Sequence, residues 1–520
     1  MSRPPREYDA VIVGSGFGGS INALRLAEAG RSVLVLERGR RYRPGEFPRD
    51  VTQVQELFWQ YPGRPAYRGL YDLRFFSGLA AVVASGVGGG SLIYANIHIR
   101  PDPIVFDDLR WPRGIDRHRL EPYYTKVAHA LGVGPVPSDL PLPKRDAFRE
   151  AARRTGRPIF DPDQAVSWSE PAGPERHACR HCAQCEFGCQ HGAKNTLDLT
   201  YLAGAERGGA EVRSGMHVTS IAPAGDRYRV HYTEVATGTV GEVVGRRVVL
   251  SAGTLGTNEI LLRSRDVCRT LPGLSDTLGR GYSGNGDFLG SIQNTERDLQ
   301  PWYGPDVTSV IRYFDAPPEF TLAAPTFNRE AMQTLASLGH GPPGIRGAFA
   351  APLWPFLGRL LPWAFRRGFF GRPGAPLTRG AADPARMTNL FAIGRDNANG
   401  RLRLKRGRLD IEWNYAAENA ALITEMTAAM EKTATAYGGR FAPAPIWAFF
   451  KRILTVHSLG GCRLSESPST GVASPDGEVH GYPGLFVADG SVIPTAIGFH
   501  PVMTIAALSE RIAESVTASY

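Results

Sequence analysis

The chain has 520 residues, more than a single hydrophobic core usually organises, and its 42% hydrophobic and 21% charged content is that of an ordinary globular protein. The formal charge of +9 comes from 59 basic residues, of which only Lys126, Lys144, Lys194, Lys405, Lys432 and Lys451 are lysine. They are scattered and accompany no reading motif, so no nucleic-acid partner is expected. The N-terminal apolar run is too short for a secretory signal and no stretch reaches the roughly 20 apolar residues of a membrane helix, so the expected compartment is the cytoplasm.

The first run, "YDAVIVGSGFGGSINALRLAEAGRSVLVLERG", reads as a strand, a glycine turn, a helix and a second strand. Val11, Ile12 and Val13 form the buried strand. Gly14, Gly16 and Gly19 fill a G-x-G-x-x-G pattern: the first permits the tight turn, the second admits a pyrophosphate to the backbone, and the third packs helix on strand. The helix from Asn22 to Ala29 turns its N-terminal N–H groups toward the phosphates. Glu37 ends the second strand, where a ribose hydroxyl needs an acceptor.

A second glycine loop follows at Ser85–Ile97, "SGVGGGSLIYANI", in which Gly86, Gly88, Gly89 and Gly90 let backbone lie against a flat ligand. A late strand, "GLFVADGSVIP", ends in Asp489 and Gly490. A plain nicotinamide enzyme needs neither, so the expected cofactor is FAD.

Between these lies "HACRHCAQCEFGCQHG", residues 177–192, with Cys179, Cys182, Cys185 and Cys189 spaced C-x2-C-x2-C-x3-C. The spacing is that of an iron–sulfur run, although Gln190 stands where ferredoxins carry Pro. Zinc held with His177, His181 or His191, two local disulfides, and plain reduced thiols are the other readings. A reducing cytoplasm disfavours the disulfides. Cys462 reads as packing.

Residues 291–449 lack the dinucleotide pattern and are assigned to a substrate domain between two parts of an FAD-binding domain, 1–290 and 450–520. The stretch "NLFAIGRDNANGRLRLKRGRLDIEWNY" predicts antiparallel strands and Ala416–Tyr437 a helix. Gly347–Gly374, "GAFAAPLWPFLGRLLPWAFRRGFFGRPG", is apolar, aromatic and interrupted by Pro352, Pro355 and Pro362. It reads either as a lid making transient contact with a membrane surface or as a buried hairpin. Both readings favour a bulky apolar substrate over a sugar. Near the C-terminus Pro501 predicts the start of a helix, "HPVMTIAALSERIAE", from His500.

Taken together, "VIVGSGFGGS", "SGVGGGSLIYANI", "GAKNTLDLTYL", "VVLSAGTLGTNEILLRS", "LGRGYSGNGDFLG", "VHSLGGCRL" and "GYPGLFVADGSVIPTAIGFHPVMTIAALSERIAE" resemble the glucose–methanol–choline (GMC) flavin oxidoreductases, and among them the bacterial cholesterol-oxidase-type branch. Tyr94 departs from the pattern, standing where many members carry Asn. The resemblance implies an α/β (α+β) fold with a Rossmann-like FAD domain and a substrate domain built on an antiparallel sheet covered by helices. It implies His457 as catalytic base and His500 as its partner, and FAD contacts from Gly14, Gly16, Phe17, Gly18, Gly19, Glu37, Gly86, Gly89, Gly90, Ser91, Asn96, Val218, Asp489, Gly490 and His500. Imidazole titrates near working pH, which suits it to take a hydroxyl proton while the flavin accepts hydride. The expected activity is oxidation of a hydroxyl on a bulky apolar alcohol, foremost a 3β-hydroxysteroid, with oxygen or an electron carrier as acceptor. The rivals are a long-chain or terpenoid alcohol dehydrogenase coupled to a quinone, cluster or protein carrier, and a non-catalytic redox sensor, against which the two histidines argue.

Overall fold

The strand Glu7–Val13 and the strand Val33–Glu37 pair in parallel, with Val13 beside Leu36, and the helix Phe17–Glu28 crosses between them. The computed structural model describes residues 7–49, 54–60, 66, 68–171, 176–338 and 383–520. Residues 347–374, and with them the lid or hairpin expectation, lie outside that set.

A seven-stranded sheet holds the strands Glu211–Ser214, Val33–Glu37, Glu7–Val13, Val240–Leu250, Arg227–Glu234 and Met216–Ala224 in that order, and Leu485–Val487 adds to Val240–Leu250. The pairings on Glu7–Val13 and the late Leu485–Val487 pairing are parallel, while Arg227–Glu234 is antiparallel to both neighbours. Val13 aligns with Leu36 and Leu250, and Leu250 with Val487. Gly14, Glu37, Ser251 and Asp489 therefore gather at one edge, beyond the carboxyl ends of the parallel strands, where open α/β sheets bind ligands.

The second large sheet has six strands and is antiparallel throughout. Its order is Arg440–Pro443, Phe288–Gln293, Thr388–Gly394, Phe320–Ala323, Val310–Tyr313 and Ile159–Phe160. The helix Ala420–Ala436 packs against it, and the helix Pro143–Thr155 packs against that helix. The strand Thr388–Gly394, "TNLFAIG", is buried along its whole length, and its Thr, Phe and Ile suit such a pleated surface. The hairpin Gly400–Lys405 and Arg408–Glu412 is antiparallel, as the sequence predicts, but joins a separate three-stranded sheet.

The helix expected over 416–437 is divided. Tyr415–Glu418 stops and Ala420–Ala436 begins afresh, because Asn419 bends the chain. The Asn419 side chain donates to Tyr415 O at 3.1 Å and accepts from Asn397 N–H at 2.9 Å, a backbone-competing bond that Asn makes readily. At the C-terminus the helix runs Val502–Ala518, two residues later than the sequence suggests, with Pro501 at its N-cap. It lies against Phe17–Glu28, locked by buried Glu510. That carboxylate accepts two bonds from Arg25 at 2.7 and 2.8 Å, one from Tyr201 at 2.8 Å, and pairs with Lys126 at 2.8 Å.

Candidate active site

The two glycine loops meet at the sheet's carboxyl edge. Gly14 has φ +93, and a Cβ there would lie 2.4 Å from Ser251 O. At Gly18 a Cβ would lie 1.4 Å from Ala488 O, and at Gly19 it would lie 1.9 Å from Gly14 O. These three glycines are consumed by protein packing. Gly16 and Gly90 differ: a Cβ at either finds nothing within 4 Å. Gly89 closes the join, since its Cβ would sit 2.6 Å from Gly16 Cα. The result is an open cradle walled by backbone, at the N-terminus of the helix Phe17–Glu28, which suits a phosphate-bearing ligand.

Around the cradle stand acceptors and unspent polar groups. Glu37 is buried and accepts from Ser15 Oγ at 2.7 Å, Ser15 N–H at 3.1 Å and Gly39 N–H at 2.9 Å. Gly88 N–H donates to Ser15 Oγ at 3.0 Å, tying the second loop to the first. Ser91 Oγ donates to Gly88 O and accepts from Leu197 N–H. Asn96 is fully buried with φ +67, and neither its Oδ1 nor its Nδ2 has a partner. A buried amide with both ends unpaired costs several kcal/mol unless something meets it, which fits a heteroatom-rich ring in the cradle. Asp489 is held by Ser491 N–H and Oγ and by Thr257 Oγ1; burial raises its pKa and these donors oppose the rise. Gly490 is buried beside Thr254. Val218, on Met216–Ala224, is buried against the same sheet and pairs with Tyr232.

Tyr94 fills its space by packing edge-on against Phe17 with ring centroids 5.7 Å apart, under the Lys194 ammonium at 4.6 Å. Its hydroxyl lies 3.3 Å from His98 Nε2.

His457 and His500 come together although 43 residues separate them. Their ring centroids are 5.2 Å apart at 79°. Phe391, from the six-stranded sheet, stacks on His457 at 5.5 Å and meets His500 edge-on at 6.2 Å. The strand Leu454–Thr455 pairs in parallel with Ala80–Ala84, so the segments bearing His457 and the second glycine loop leave at the same end. His500 is 7% exposed, and its Nδ1 has no partner. Burial, with His457 adding to it, holds its pKa well below the ordinary imidazole value, so His500 is neutral.

Two residues that the sequence left without a role complete this geometry. Asp287, fully buried, accepts from His457 Nδ1–H at 2.8 Å, and Asn285 binds the backbone just before His500. Both lie in the stretch "SGNGD". Only its place among the matched pieces marked it, because the partners lie about 170 and 212 residues away in sequence.

A cavity of about 680 Å³ opens nearby, lined by His98, Arg100, Arg117, Arg312, Phe499 and Met503 among others. It touches the residues flanking His500 and does not include His457. Its arginines are already paired with Glu121 and Asp102, so it is not the apolar chamber expected beside the base.

For the iron–sulfur or zinc expectation at Cys179, Cys182, Cys185 and Cys189 the described residues offer no support. Among the described residues no three of His, Cys, Asp and Glu converge where an ion would sit, and all four cysteines are free thiols. Burial pushes the Cys179 thiol up to about 11 and the Cys185 thiol up to about 12. The loop is held by its backbone instead: Lys194 donates to Cys185 O at 2.8 Å, Arg49 to Phe187 O at 2.6 Å, Arg176 to Gly192 O at 2.9 Å and Gln190 to Phe47 O at 2.8 Å. Lys194 also donates to Leu92 O and Tyr94 O, so the run braces the second glycine loop from behind. Cys462 is buried, 3.5 Å from Asn258 Oδ1, and packs as expected.

Among the described residues no helix is long and apolar enough to cross a membrane. The sequence is 30% identical to a cholesterol oxidase of Acinetobacter baumannii over 99% of this chain and 95% of that one. It is 31% identical to a cholesterol oxidase of Mycobacterium tuberculosis over 98% of this chain and 90% of that one. Among solved structures, pyridoxine 4-oxidase from Mesorbium loti shares the fold with a TM-score of 0.65 at 17% identity, covering 98% of each chain. Residues 8–265 and 396–509 match the GMC oxidoreductase family models, and the chain belongs to that family of FAD-dependent enzymes acting on CH–OH groups.

Proposed function

We propose that this enzyme oxidises the hydroxyl of a bulky apolar alcohol, a 3β-hydroxysteroid, with oxygen as electron acceptor. The observation that carries the chemistry is the pair of imidazoles, His457 and His500, edge to face beneath Phe391. The similarity to cholesterol oxidases over nearly the whole chain supports the substrate class.

Gly16, Phe17, Gly86, Gly89, Gly90 and Ser91 form the cradle for FAD, shaped by the close packing at Gly14, Gly18 and Gly19, with Glu37 at its ribose, and Asn96, Val218, Asp489, Gly490 and His500 as further contacts. Bound FAD supplies the hydride acceptor, and its reoxidation by oxygen yields hydrogen peroxide. His457 Nε2, which makes no hydrogen bond within the described residues, takes the hydroxyl proton as the C–H hydride leaves and the carbonyl forms. His500, neutral because burial disfavours its charged form, holds the hydroxyl oxygen without adding a competing charge. Phe391 limits how each ring can turn. We assign residues 291–449 to the substrate domain of the same reading.

Peroxide formation with a 3β-hydroxysteroid and with a long-chain primary alcohol, measured under the same conditions, tests the substrate class. The sterol is expected to show a kcat/KM at least ~10-fold higher, the discrimination an apolar pocket achieves by fit. A preference for the linear alcohol would overturn the steroid assignment and leave the histidine chemistry standing.

A further inference from the structure

We propose that one turn, Ser283–Asp287, sets both histidines, with Asp287 and Asn285 as positioning residues. The inference rests on the assignment of His457 as base and explains how its reactive nitrogen is chosen.

Asp287 is wholly buried and saturated with donors. One oxygen accepts from His457 Nδ1–H at 2.8 Å. The other accepts from Thr455 Oγ1 at 2.9 Å, Val456 N–H at 2.8 Å and His457 N–H at 3.2 Å. The carboxylate thus grips both the ring and the backbone of the residue it orients. A carboxylate cannot donate, so Nδ1 must carry the proton and Nε2 keeps its lone pair for the substrate hydroxyl. Rotation of the ring would break the Nδ1 bond and is opposed by Phe391 on its face.

Asn285 performs the matching task two residues earlier. Its Oδ1 accepts from Ile497 N–H at 2.9 Å and Gly498 N–H at 3.0 Å, and its Nδ2 donates to Phe499 O at 2.7 Å. Three consecutive residues before His500 are therefore fixed to one amide. Thr321 Oγ1 donates to Gly498 O at 2.8 Å and reinforces the segment.

The turn is itself anchored. Buried Asp396 accepts from Ser283 Oγ at 2.7 Å, Gly284 N–H at 3.1 Å, Gly286 N–H at 2.9 Å and Ala398 N–H at 3.0 Å. Asn285 and Gly286 adopt φ +53 and +64, and a Cβ at Gly286 would lie 2.3 Å from Gly394 O. These two consecutive left-handed residues turn the chain so that the Asn285 and Asp287 side chains reach two different segments, 497–499 and 455–457. Because Asp287 adjoins the strand Phe288–Gln293, the six-stranded sheet carries the register of both histidines.

The test uses the FAD-loaded full-length enzyme and the variants Asp287→Asn, Asp287→Glu, Asn285→Ala and His457→Ala. FAD content and thermal midpoint are recorded for each. Asp287→Asn places an N–H2 against either the ring N–H or the backbone N–H groups. It is expected to lose about 100-fold or more in kcat, the worth of a positioned base, with KM within about threefold, and Asp287→Glu to recover part of the loss. Asn285→Ala is expected to lower kcat while His457 keeps its Nδ1–H. Nitrogen-15 NMR of histidine-labelled wild-type enzyme is the readout independent of any variant's folding. It is expected to show the Nδ1–H tautomer for the resonance that disappears in His457→Ala. Wild-type kcat in Asp287→Asn overturns the proposal while leaving the base assignment intact, whereas an Nε2–H tautomer overturns both the proposal and the assignment of Nε2 as the basic atom. Full turnover in His457→Ala overturns the base assignment instead.

Discussion

The contrast between Gly16 and Gly18 yields a prediction in which binding and folding separate. Gly16 has φ −71 and ψ −164, open to any residue, and a Cβ there meets nothing within 4 Å. In the cofactor-free chain Gly16→Ala loses a favourable N-cap residue, worth about 0.5–1 kcal/mol. The stiffer unfolded chain offsets about 0.4–1 kcal/mol of that. Net stability should barely move. The new methyl would stand where the pyrophosphate approaches the backbone, displacing one or two hydrogen bonds to a charged group, about 3 kcal/mol in total. That is about 100-fold in Kd. Gly18→Ala is the opposite case, since its Cβ would lie 1.4 Å from Ala488 O. Relief requires the helix Phe17–Glu28 to part from the strand Leu485–Val487, at a cost of about 3 kcal/mol or more in the fold itself. Fluorescence titration of deflavinated protein with FAD measures the first effect, and thermal unfolding of the same preparation measures the second. If Gly16→Ala binds FAD within threefold of wild type, or unfolds as early as Gly18→Ala, the cradle reasoning is wrong.

Asn96→Ala should leave the cofactor-free fold as stable as wild type or better, because it removes a buried amide with no partner, and should weaken FAD binding in the same titration. Glu510→Ala should cost about 2–3 kcal/mol in denaturant unfolding, because it removes charge-assisted bonds from Arg25 and Lys126, which keep some solvent and, for Arg25, Glu28. Burial works to raise the Glu510 pKa, and the bonds from Arg25, Lys126 and Tyr201 hold it below the ordinary value. Its contribution is therefore present above the ordinary glutamate range and lost as pH falls through the lowered folded value. Burial pushes His98 down to about 3. Unfolded His98 binds its proton near pH ~6.5, so stability falls as pH drops below that, by about 2 kcal/mol between pH 6.5 and 5. His98→Gln should flatten that slope in unfolding midpoints measured across the interval; an unchanged slope would refute the assignment.

The parts of this molecule that a reader of the sequence could reach are those built from neighbours in the chain. The glycine turn after Val13, the helix behind it and Glu37 on the next strand form one local unit, so their spacing alone carries the geometry. His457 and His500 were reached through resemblance, since nothing within either segment says that the two rings meet. Asp287 and Asn285 were missed because each acts on a segment some 170 or more residues away. No periodicity or local spacing encodes such a pairing. Asn419 shows the same limit on a smaller scale: helix periodicity runs on through it, but a bond to Asn397 breaks the helix. The cysteine run shows a further limit. Its spacing suits a cluster, whereas what the structure shows is that Lys194, Arg49 and Arg176 bind its carbonyls.

Anaerobic mixing of FAD-loaded wild-type and His457→Ala enzyme with a 3β-hydroxysteroid, following the flavin absorption bands and then admitting air, tests the central claim most directly. Sterol is expected to bleach the wild-type bands and air to restore them, with His457→Ala bleaching at least ~100-fold more slowly while its FAD is retained. Bleaching of His457→Ala at the wild-type rate would contradict the assignment of His457 as base, and wild-type bands that stay oxidised in sterol would contradict the steroid as substrate.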